Sequence, residues 1–190
     1  MRSVILGALL IVLVNGGQAI PEKKPVEVST GNTLFKAPPP TLREMALSAD
    51  AVVFGRVLGG VSSDGGFYRK SDPGILTSYR FRVSEVLQSF GGHFVSSEEL
   101  TVIRDGGAID RGKKIEKLEI LEFPQFEPGR EYVLFLLWHE THKAWTPQWG
   151  PYGTFEVRAG RIRAIGDAKV TKEQDGLNLD EFLTKIRRLS

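Results

Sequence analysis

Apolar residues recur along this chain in short runs, and most of these runs have the spacing of β-strands. Residues 51–58 are rich in valine and close on Gly59 and Gly60, a pattern typical of a strand buried on both faces. Residues 77–87 alternate between apolar and polar positions until Val86, whose wrong parity predicts a β-bulge. Residues 131–138 are the most hydrophobic stretch after the N-terminal run, and they predict a central strand.

Helical patterns flank these predicted strands. Thr41 and Glu44 have the spacing of a capping box, which predicts a short helix through Ser48. Asn178 predicts the start of a C-terminal helix whose apolar positions share one face: Leu179, Phe182, Leu183 and Ile186. Residues 114–121 suit a returning strand or a short helix almost equally well. Together the elements predict a mainly β fold, a small antiparallel barrel with a short N-terminal helix and a C-terminal helix.

The first nineteen residues have the three parts of a secretory signal peptide. Arg2 is their only charge, residues 4–14 are almost wholly apolar, and Gly17 and Ala19 supply small side chains for cleavage. The alternative is a membrane anchor, but a run of about eleven apolar residues is half of the roughly twenty that a bilayer needs. We therefore expect cleavage after Ala19 and export, either to a periplasm or out of the cell.

The remainder of the chain divides into a proline-rich segment and a domain. Residues 20–40 hold five prolines among charged and small polar residues, which predicts a flexible linker. Residues 41–190 are the predicted single domain and are long enough to bury a core. No second apolar run approaches membrane-spanning length, so we expect no membrane span after cleavage, and we expect a monomer.

Charge and cysteine content argue against several classes of function. Loss of Arg2 with the signal peptide lowers the formal net charge from +2 to about +1, which disfavours broad electrostatic binding of nucleic acid. The chain has no cysteine, which excludes a thiol nucleophile, an iron–sulfur cluster and a cysteine-ligated zinc ion. The sequence contains neither a Gly-x-Ser-x-Gly motif nor a phosphate-binding glycine loop, and we expect no enzyme activity and no cofactor.

Four segments in a particular order carry a family resemblance. They are residues 49–57 (ADAVVFGRV), 79–87 (YRFRVSEVL), 129–135 (GREYVLF) and 153–157 (GTFEV). Across residues 41–158 this order resembles a group of uncharacterised exported bacterial domains and, more distantly, is similar to netrin-like modules and tissue inhibitors of metalloproteinases. The resemblance implies an OB-like barrel. Those inhibitors bind a protease's zinc through an N-terminal cysteine, which this chain lacks, so the inhibitory mechanism is not implied.

Histidines and carboxylates are the candidates for metal binding. His139 and His142 follow the predicted central strand in a string one residue short of the zinc-binding His-Glu-x-x-His motif. In a turn between strands their side chains need not converge, and we interpret them, like His93, as solvated residues. Asp105 and Asp110 could offer oxygens to calcium, but the basic residues that follow them disfavour a cation. We therefore predict no metal site.

A group of aromatic and basic residues near the C-terminus is the candidate ligand surface. Its members are Trp145, Trp149, Tyr152, Arg158, Arg161 and Arg163. An OB-type barrel can bind sugars or single strands by stacking on aromatic rings within a basic groove. The alternative is that one tryptophan fills the barrel and the arginines are solvated.

The leading interpretation is an exported, non-enzymatic binding or interaction module whose partner is an extracytoplasmic protein. Carbohydrate or small-ligand binding through Trp145, Trp149 and Tyr152 is the alternative, and export makes nucleic acid an unfavourable partner. A metal-dependent hydrolase that uses His139 and His142 is the least favoured hypothesis.

Overall fold

The computed structural model of the chain describes residues 24–31, 35–66, 74–90 and 98–189. Of these residues 50% lie in strands and 16% in helices, which confirms a mainly β protein. The predicted signal peptide lies outside the described residues. In chain order the elements are β1 (Val26–Gly31), α1 (Leu42–Ser48), β2 (Ala51–Asp64), β3 (Ile75–Ser89), β4 (Glu99–Asp105), β5 (Gly107–Asp110), β6 (Ile115–Ile120), β7 (Glu131–His139), β8 (Ala144–Pro147), a 3₁₀ turn (Gly150–Gly153), β9 (Thr154–Arg158), β10 (Arg161–Ala164), α2 (Lys169–Lys172) and α3 (Leu179–Arg187).

The larger of two sheets has seven strands in the order β10–β9–β7–β2–β3–β4–β8. β2 lies at its centre and runs antiparallel to both β3 and β7. β8 has two neighbours, because it runs antiparallel to β7 and also meets β4 in a parallel contact between Val102 and Trp145. The sheet therefore curves until β8 connects β4 to β7.

A second sheet of three strands has the order β1–β6–β5. The chain passes into it at Gly106 and Gly107, directly after β4, with φ angles of +90° and +139°. The Thr77 hydroxyl donates to the Gly106 carbonyl oxygen at 2.5 Å and thereby fixes this corner. The sequence predicted one small barrel, and this prediction is wrong. The backbone leaves the seven-stranded sheet at this corner, so the strands form two sheets and not a clean barrel.

β1 lies inside the segment that the sequence suggested to be a flexible linker. It pairs in parallel with β6, from Val26 opposite Ile115 to Gly31 opposite Ile120. Phe35, a little further on, meets the Phe123 ring edge to face at 5.6 Å. The linker prediction over residues 20–40 is wrong for these stretches. Main-chain bonds hold β1 while its side chains stay exposed, so it has no burial pattern to reveal it.

Two hydrophobic clusters lie on opposite faces of β2 and β7. Along β7, Val133 and Phe135 belong to one cluster, while Tyr132 and Leu134 belong to the other. We call the first the helix-side cluster, because it includes buried residues of α1 and α3, and the second the interior cluster, because the curved strands supply most of it. Strand alternation makes this division possible, since successive side chains point to opposite faces.

The helices cover the helix-side cluster. In α1 the Thr41 hydroxyl accepts a hydrogen bond from the Glu44 N–H at 3.2 Å, and the buried residues are Leu42, Met45 and Ala46. The predicted C-terminal helix is confirmed as α3, where Asn178 Oδ1 accepts from the Asp180 N–H at 2.9 Å and Phe182, Leu183 and Ile186 are buried. Among the described residues no helix has the length and apolar composition to cross a membrane.

The predicted bulge in the second long strand is confirmed. The register of β2 against β3 shifts between Phe54 and Gly55, whose partners are Glu85 and Val83, so that Ser84 is the extra residue. A further shift leaves Leu87 as an extra residue. Such bulges increase the bend of a strand. They help β3 to curve from β2 towards β4.

The corner at Gly107 provides a test of the two-sheet arrangement. A Cβ added to Gly107 would lie 2.2 Å from Thr77 Oγ1 and 2.3 Å from Ser62 Oγ. We expect Gly107→Ala to lower the free energy of unfolding by about 2–5 kcal/mol through backbone strain and overpacking, measured by urea denaturation. Gly112→Ala is the matched control, because φ is +81° there and nothing lies within 4 Å of the new Cβ. Equal losses in the two variants would contradict the packing at this corner.

Candidate functional site

The aromatic residues predicted to form a ligand surface are divided between the two clusters. Trp145 is 5% exposed and belongs to the interior cluster, where its ring meets Trp138 edge to face at 5.3 Å. Trp149 is 9% exposed and belongs to the helix-side cluster, against which Tyr152 also packs. The predicted shared aromatic surface is therefore wrong. The alternative, in which a tryptophan fills the interior, describes Trp145.

The backbone after β8 explains this division. Trp145 lies in regular strand pairing, opposite Trp138 of β7 and Val102 of β4. Trp149 instead has a left-handed φ of 59° just before the 3₁₀ turn. Strand alternation therefore ends before Trp149, and the spacing of the two tryptophans no longer decides which way they point.

Two arginines of the same predicted group lie together on β9 and β10. Alternation along β9 directs Phe155 and Val157 into the helix-side cluster, so Glu156 and Arg158 point to the opposite face. The antiparallel register then brings Arg163 of β10 opposite Glu156. β9 therefore has a hydrophobic face towards the helix-side cluster and a charged face on its opposite side.

Glu156 is the centre of a charge cluster that we call the arginine pocket, made of Glu156, Arg130, Arg158 and Arg163. The Glu156 side chain is 5% exposed, and Arg158 Nε lies 2.7 Å from its Oε1. Arg130 Nε and Arg163 Nη1 are further away, each 3.8 Å from a Glu156 oxygen. Arg130 Nε also lies 3.1 Å from the exposed carboxylate of Glu127. One buried carboxylate therefore faces three guanidinium groups.

This arrangement leaves hydrogen-bond donors in excess of acceptors. The hydrogen bond to Glu156 raises the pKa of Arg158 above its ordinary value, and the negative charge of Glu156 adds to this. Each guanidinium offers five N–H donors, far more than one shared carboxylate can accept. The side chains of Arg130, Arg158 and Arg163 are 43%, 44% and 53% exposed, so their remaining donors reach solvent. The pocket is chemically suited to a second anion.

A cavity of about 180 Å³ opens beside these charges. Glu156, Arg158 and Arg163 line part of it, and the rings of Phe126 and Tyr132, with centres 4.9 Å apart, line another part. Cavities for drug-sized ligands are larger, about 300–1,000 Å³. The volume therefore suits one carboxylate on a short apolar stem.

Arg104 holds the aromatic wall of the cavity in place. It is 2% exposed, and its terminal nitrogens donate to the carbonyl oxygens of Phe123 and Pro124. Its guanidinium carbon also lies 3.7 Å from the centre of the Phe123 ring, a cation–π contact. Burial lowers the pKa of Arg104 to about 10, which still leaves it charged at neutral pH. These contacts fix the connection from β6 to β7, which carries Phe126.

The two histidines after the central strand lie in contact, although their spacing in the sequence does not require it. His139 ends β7, His142 lies in the turn before β8, and their ring centres are 4.9 Å apart. Burial lowers the pKa of His139 below its ordinary value, and the charge of His142 lowers it further. His93 lies outside the described residues.

The aspartates that could have offered oxygens to calcium have other contacts. Lys24 Nζ lies 2.6 Å from Asp110 Oδ2, and the Gly112 N–H donates to Asp110 Oδ1 at 2.8 Å. The bond from Lys24, followed by that from Gly112, lowers the pKa of Asp110. The backbone carbonyl of Asp105 accepts from Gln125 Nε2 at 3.3 Å. Over the part of the chain that the structure describes, no three or more histidines and carboxylates group together to hold a metal ion.

Comparison with known proteins adds no residue roles to this picture. No protein-family model matches the chain, and no curated protein matches it.

Glu156 and Arg130 belong to the site but were not among the residues predicted from the sequence. The alternation of residues 153–157 already directs Glu156 away from the apolar face, and a lone carboxylate among three arginines in residues 156–163 was the available signal. Arg130 could not be found in this way, because only the pairing of β7 with β9 brings it near Glu156. Arg161 of the predicted group donates instead to the Gly176 carbonyl oxygen at 3.0 Å.

Removal of the buried negative charge tests the arginine pocket. We expect Glu156→Gln to lower the free energy of unfolding by about 1–3 kcal/mol, because the guanidinium groups lose their charged acceptor in a buried place. Glu127→Gln is the matched control, since its carboxylate is 56% exposed and also pairs with Arg130. We expect the control to change stability by less than about 0.5 kcal/mol. Urea denaturation measures both, and the reverse order would contradict the assignment.

Proposed function

We propose that this chain is an exported, non-enzymatic binding module of OB-like fold whose partner is an extracytoplasmic protein. The observation that supports this most directly is the arginine pocket, where three guanidinium groups share the single buried carboxylate of Glu156. A partner that presents an aspartate, a glutamate or a terminal carboxylate would supply the second anion. Such a group fits the volume beside Phe126 and Tyr132.

The order of strand pairing supports the OB-like part of the proposal. Pairings run from β2 to β3, β4, β8 and β7 and then return to β2. The β4–β8 contact is parallel and the other four are antiparallel. Five strands in a partly open ring are the architecture of an OB-fold. The likeness to netrin-like modules over residues 41–158 remains part of the same proposal.

The N-terminal sequence pattern supports export. A single charge at Arg2, an apolar run over residues 4–14 and small residues before Ile20 have the order of a cleavable signal. The absence of cysteine from the chain is compatible with either a periplasm or the exterior.

Distances within the pocket indicate how an incoming carboxylate would bind. At 3.8 Å, Arg130 Nε and Arg163 Nη1 are beyond hydrogen-bonding distance of Glu156. Arg130 Nε already donates to Glu127 Oε2 at 3.1 Å, so a ligand would take the N–H groups of Arg163 and leave the 2.7 Å contact between Arg158 and Glu156 intact. The buried carboxylate keeps the guanidinium groups in place before the ligand arrives, which reduces the entropy lost on binding.

One carboxylate cannot account for tight binding of a whole partner. Charge-assisted hydrogen bonds contribute about 1.5–3 kcal/mol each, and a dissociation constant of about 1 mM corresponds to about 4 kcal/mol. The pocket therefore supplies one anchoring contact, and other surface contacts supply the rest of the affinity.

Binding of a short acidic peptide tests the proposal. We expect an acetylated, amidated Gly-Glu-Gly peptide to bind with a dissociation constant on the order of 1 mM at low salt, followed by NMR titration. The Gly-Gln-Gly peptide should bind at least about tenfold more weakly, since it lacks the charge. Arg163→Gln should weaken binding of the glutamate peptide by about fivefold or more and leave the fold intact, because Arg158 still pairs with Glu156.

Arg161→Gln is the matched control for that titration. It removes the same charge from the same strand, but the Arg161 guanidinium donates to the Gly176 carbonyl oxygen. We expect its effect on peptide binding to be less than about twofold, from the change in net charge alone. Equal binding of the glutamate and glutamine peptides, or equal losses in the two arginine variants, would contradict the proposed function.

A further inference from the structure

The turn that joins β7 to β8 holds two histidines in a fixed relation. His139 pairs with Ala144 in the last strand pair before the turn, and the Lys143 N–H donates to the Glu140 carbonyl oxygen at 3.4 Å across the turn. Beneath the turn, Trp138 pairs with Trp145, and their rings meet edge to face at 5.3 Å. The strand pairing that ends at His139 and Ala144 therefore fixes both ends of the turn.

The separation of the two rings matches that of two ligands on one metal ion. The ring centres of His139 and His142 lie 4.9 Å apart, and the planes are inclined by 53°. Two imidazoles that ligate one ion through Zn–N bonds of about 2.0–2.1 Å at a near-tetrahedral angle have ring centres about 5 Å apart. Inclined planes are compatible with both rings turning a nitrogen towards a common point.

We propose that His139 and His142 form a two-histidine site for one divalent transition-metal ion of the Zn²⁺, Ni²⁺ and Cu²⁺ group. Imidazole nitrogen is a ligand of choice for these ions and a poor one for Mg²⁺ or Ca²⁺. The other coordination positions take water or a donor from a bound partner, because two histidines fill only half of a tetrahedral shell.

The charges around the turn do not oppose a cation. Lys143 is the nearest basic residue in the chain, and its ammonium group forms a salt bridge with the carboxylate of Glu140. Asp50 directly precedes β2, the strand that pairs with β7, and its carboxylate accepts a hydrogen bond from the Trp138 N–H at 2.9 Å.

This inference is independent of the arginine pocket. The histidine turn follows β7, while the pocket involves Arg130 just before β7 and residues of β9 and β10. A failure to bind carboxylates would not contradict the metal site, and a failure to bind metal would not contradict the arginine pocket.

Calorimetric titration of the purified chain with Zn²⁺ at pH 7.5 tests the site. We expect one ion per chain, with affinity lowered by about tenfold or more in His139→Ala and in His142→Ala, because one ligand cannot chelate. His93→Ala is the matched control, since it removes the remaining histidine of the chain, and its affinity should be unchanged. Cu²⁺ in a separate titration should bind more tightly than Zn²⁺ and quench the fluorescence of the adjacent Trp138.

The outcomes separate a metal site from a simple ring contact. Circular dichroism of each variant first verifies that the strands remain, so that a loss of binding is not a loss of fold. One-to-one binding that depends on both His139 and His142 supports the proposal. No saturable binding, binding that survives both substitutions, or binding that His93→Ala abolishes would overturn it.

Discussion

Both faces of β2 and β7 are buried, and the positions of the helices, the curved strands and the charged groups follow from this burial. Along β7 the side chains of Val133 and Phe135 enter the helix-side cluster, and those of Tyr132 and Leu134 enter the interior cluster. Residues of β2 divide in the same manner, with Val52 on the helix side. A strand buried on both faces needs a layer of packed residues on each of its two sides. The helices cover one side, and the curved strands with β8 cover the other.

This double burial also determines where charged groups can lie. β9 continues the sheet beyond β7, and its apolar residues still serve the helix-side cluster. The opposite face of β9 does not pack against the helix-side cluster. It therefore carries polar residues, and Glu156 there is the acceptor for the surrounding arginines. The connection from β6 to β7 closes over this face, and Arg104 holds it through backbone carbonyl oxygens. The cavity exists because this connection is fixed without filling the space above Glu156.

Local sequence patterns predicted individual strands and helices better than they predicted which strands pair with one another. Alternation and capping residues identified the strands of the double-buried core and the helix that begins after Asn178, since these signals act within a few residues. β1 was not predicted, because main-chain pairing with β6 holds it in place and its side chains are exposed. The two-sheet arrangement depends on the corner at Gly106 and Gly107, whose positive φ angles no pattern of apolar and polar residues specifies.

The candidate site was harder to predict than the fold for the same reason. Trp149 was grouped with Trp145 and Tyr152 as a candidate ligand surface, but its left-handed backbone ends the strand alternation that would place it on the same face as Trp145. Arg130 and Glu156 come together only through strand register, which a single sequence does not specify. The contact between His139 and His142 depends on the shape of one turn. Patterns of two or four residues cannot determine such contacts.

Titration with acetate, followed by NMR of the arginine Nε–Hε groups, measures directly whether the arginine pocket binds a carboxylate. We predict a saturable shift for Arg163, which lines the cavity with its Nη1 3.8 Å from Glu156, and no saturable shift for Arg161, whose guanidinium donates to the Gly176 carbonyl oxygen. A uniform drift of all arginine signals, or a saturable response at Arg161 instead, would contradict the account that Glu156 organises a carboxylate-binding pocket.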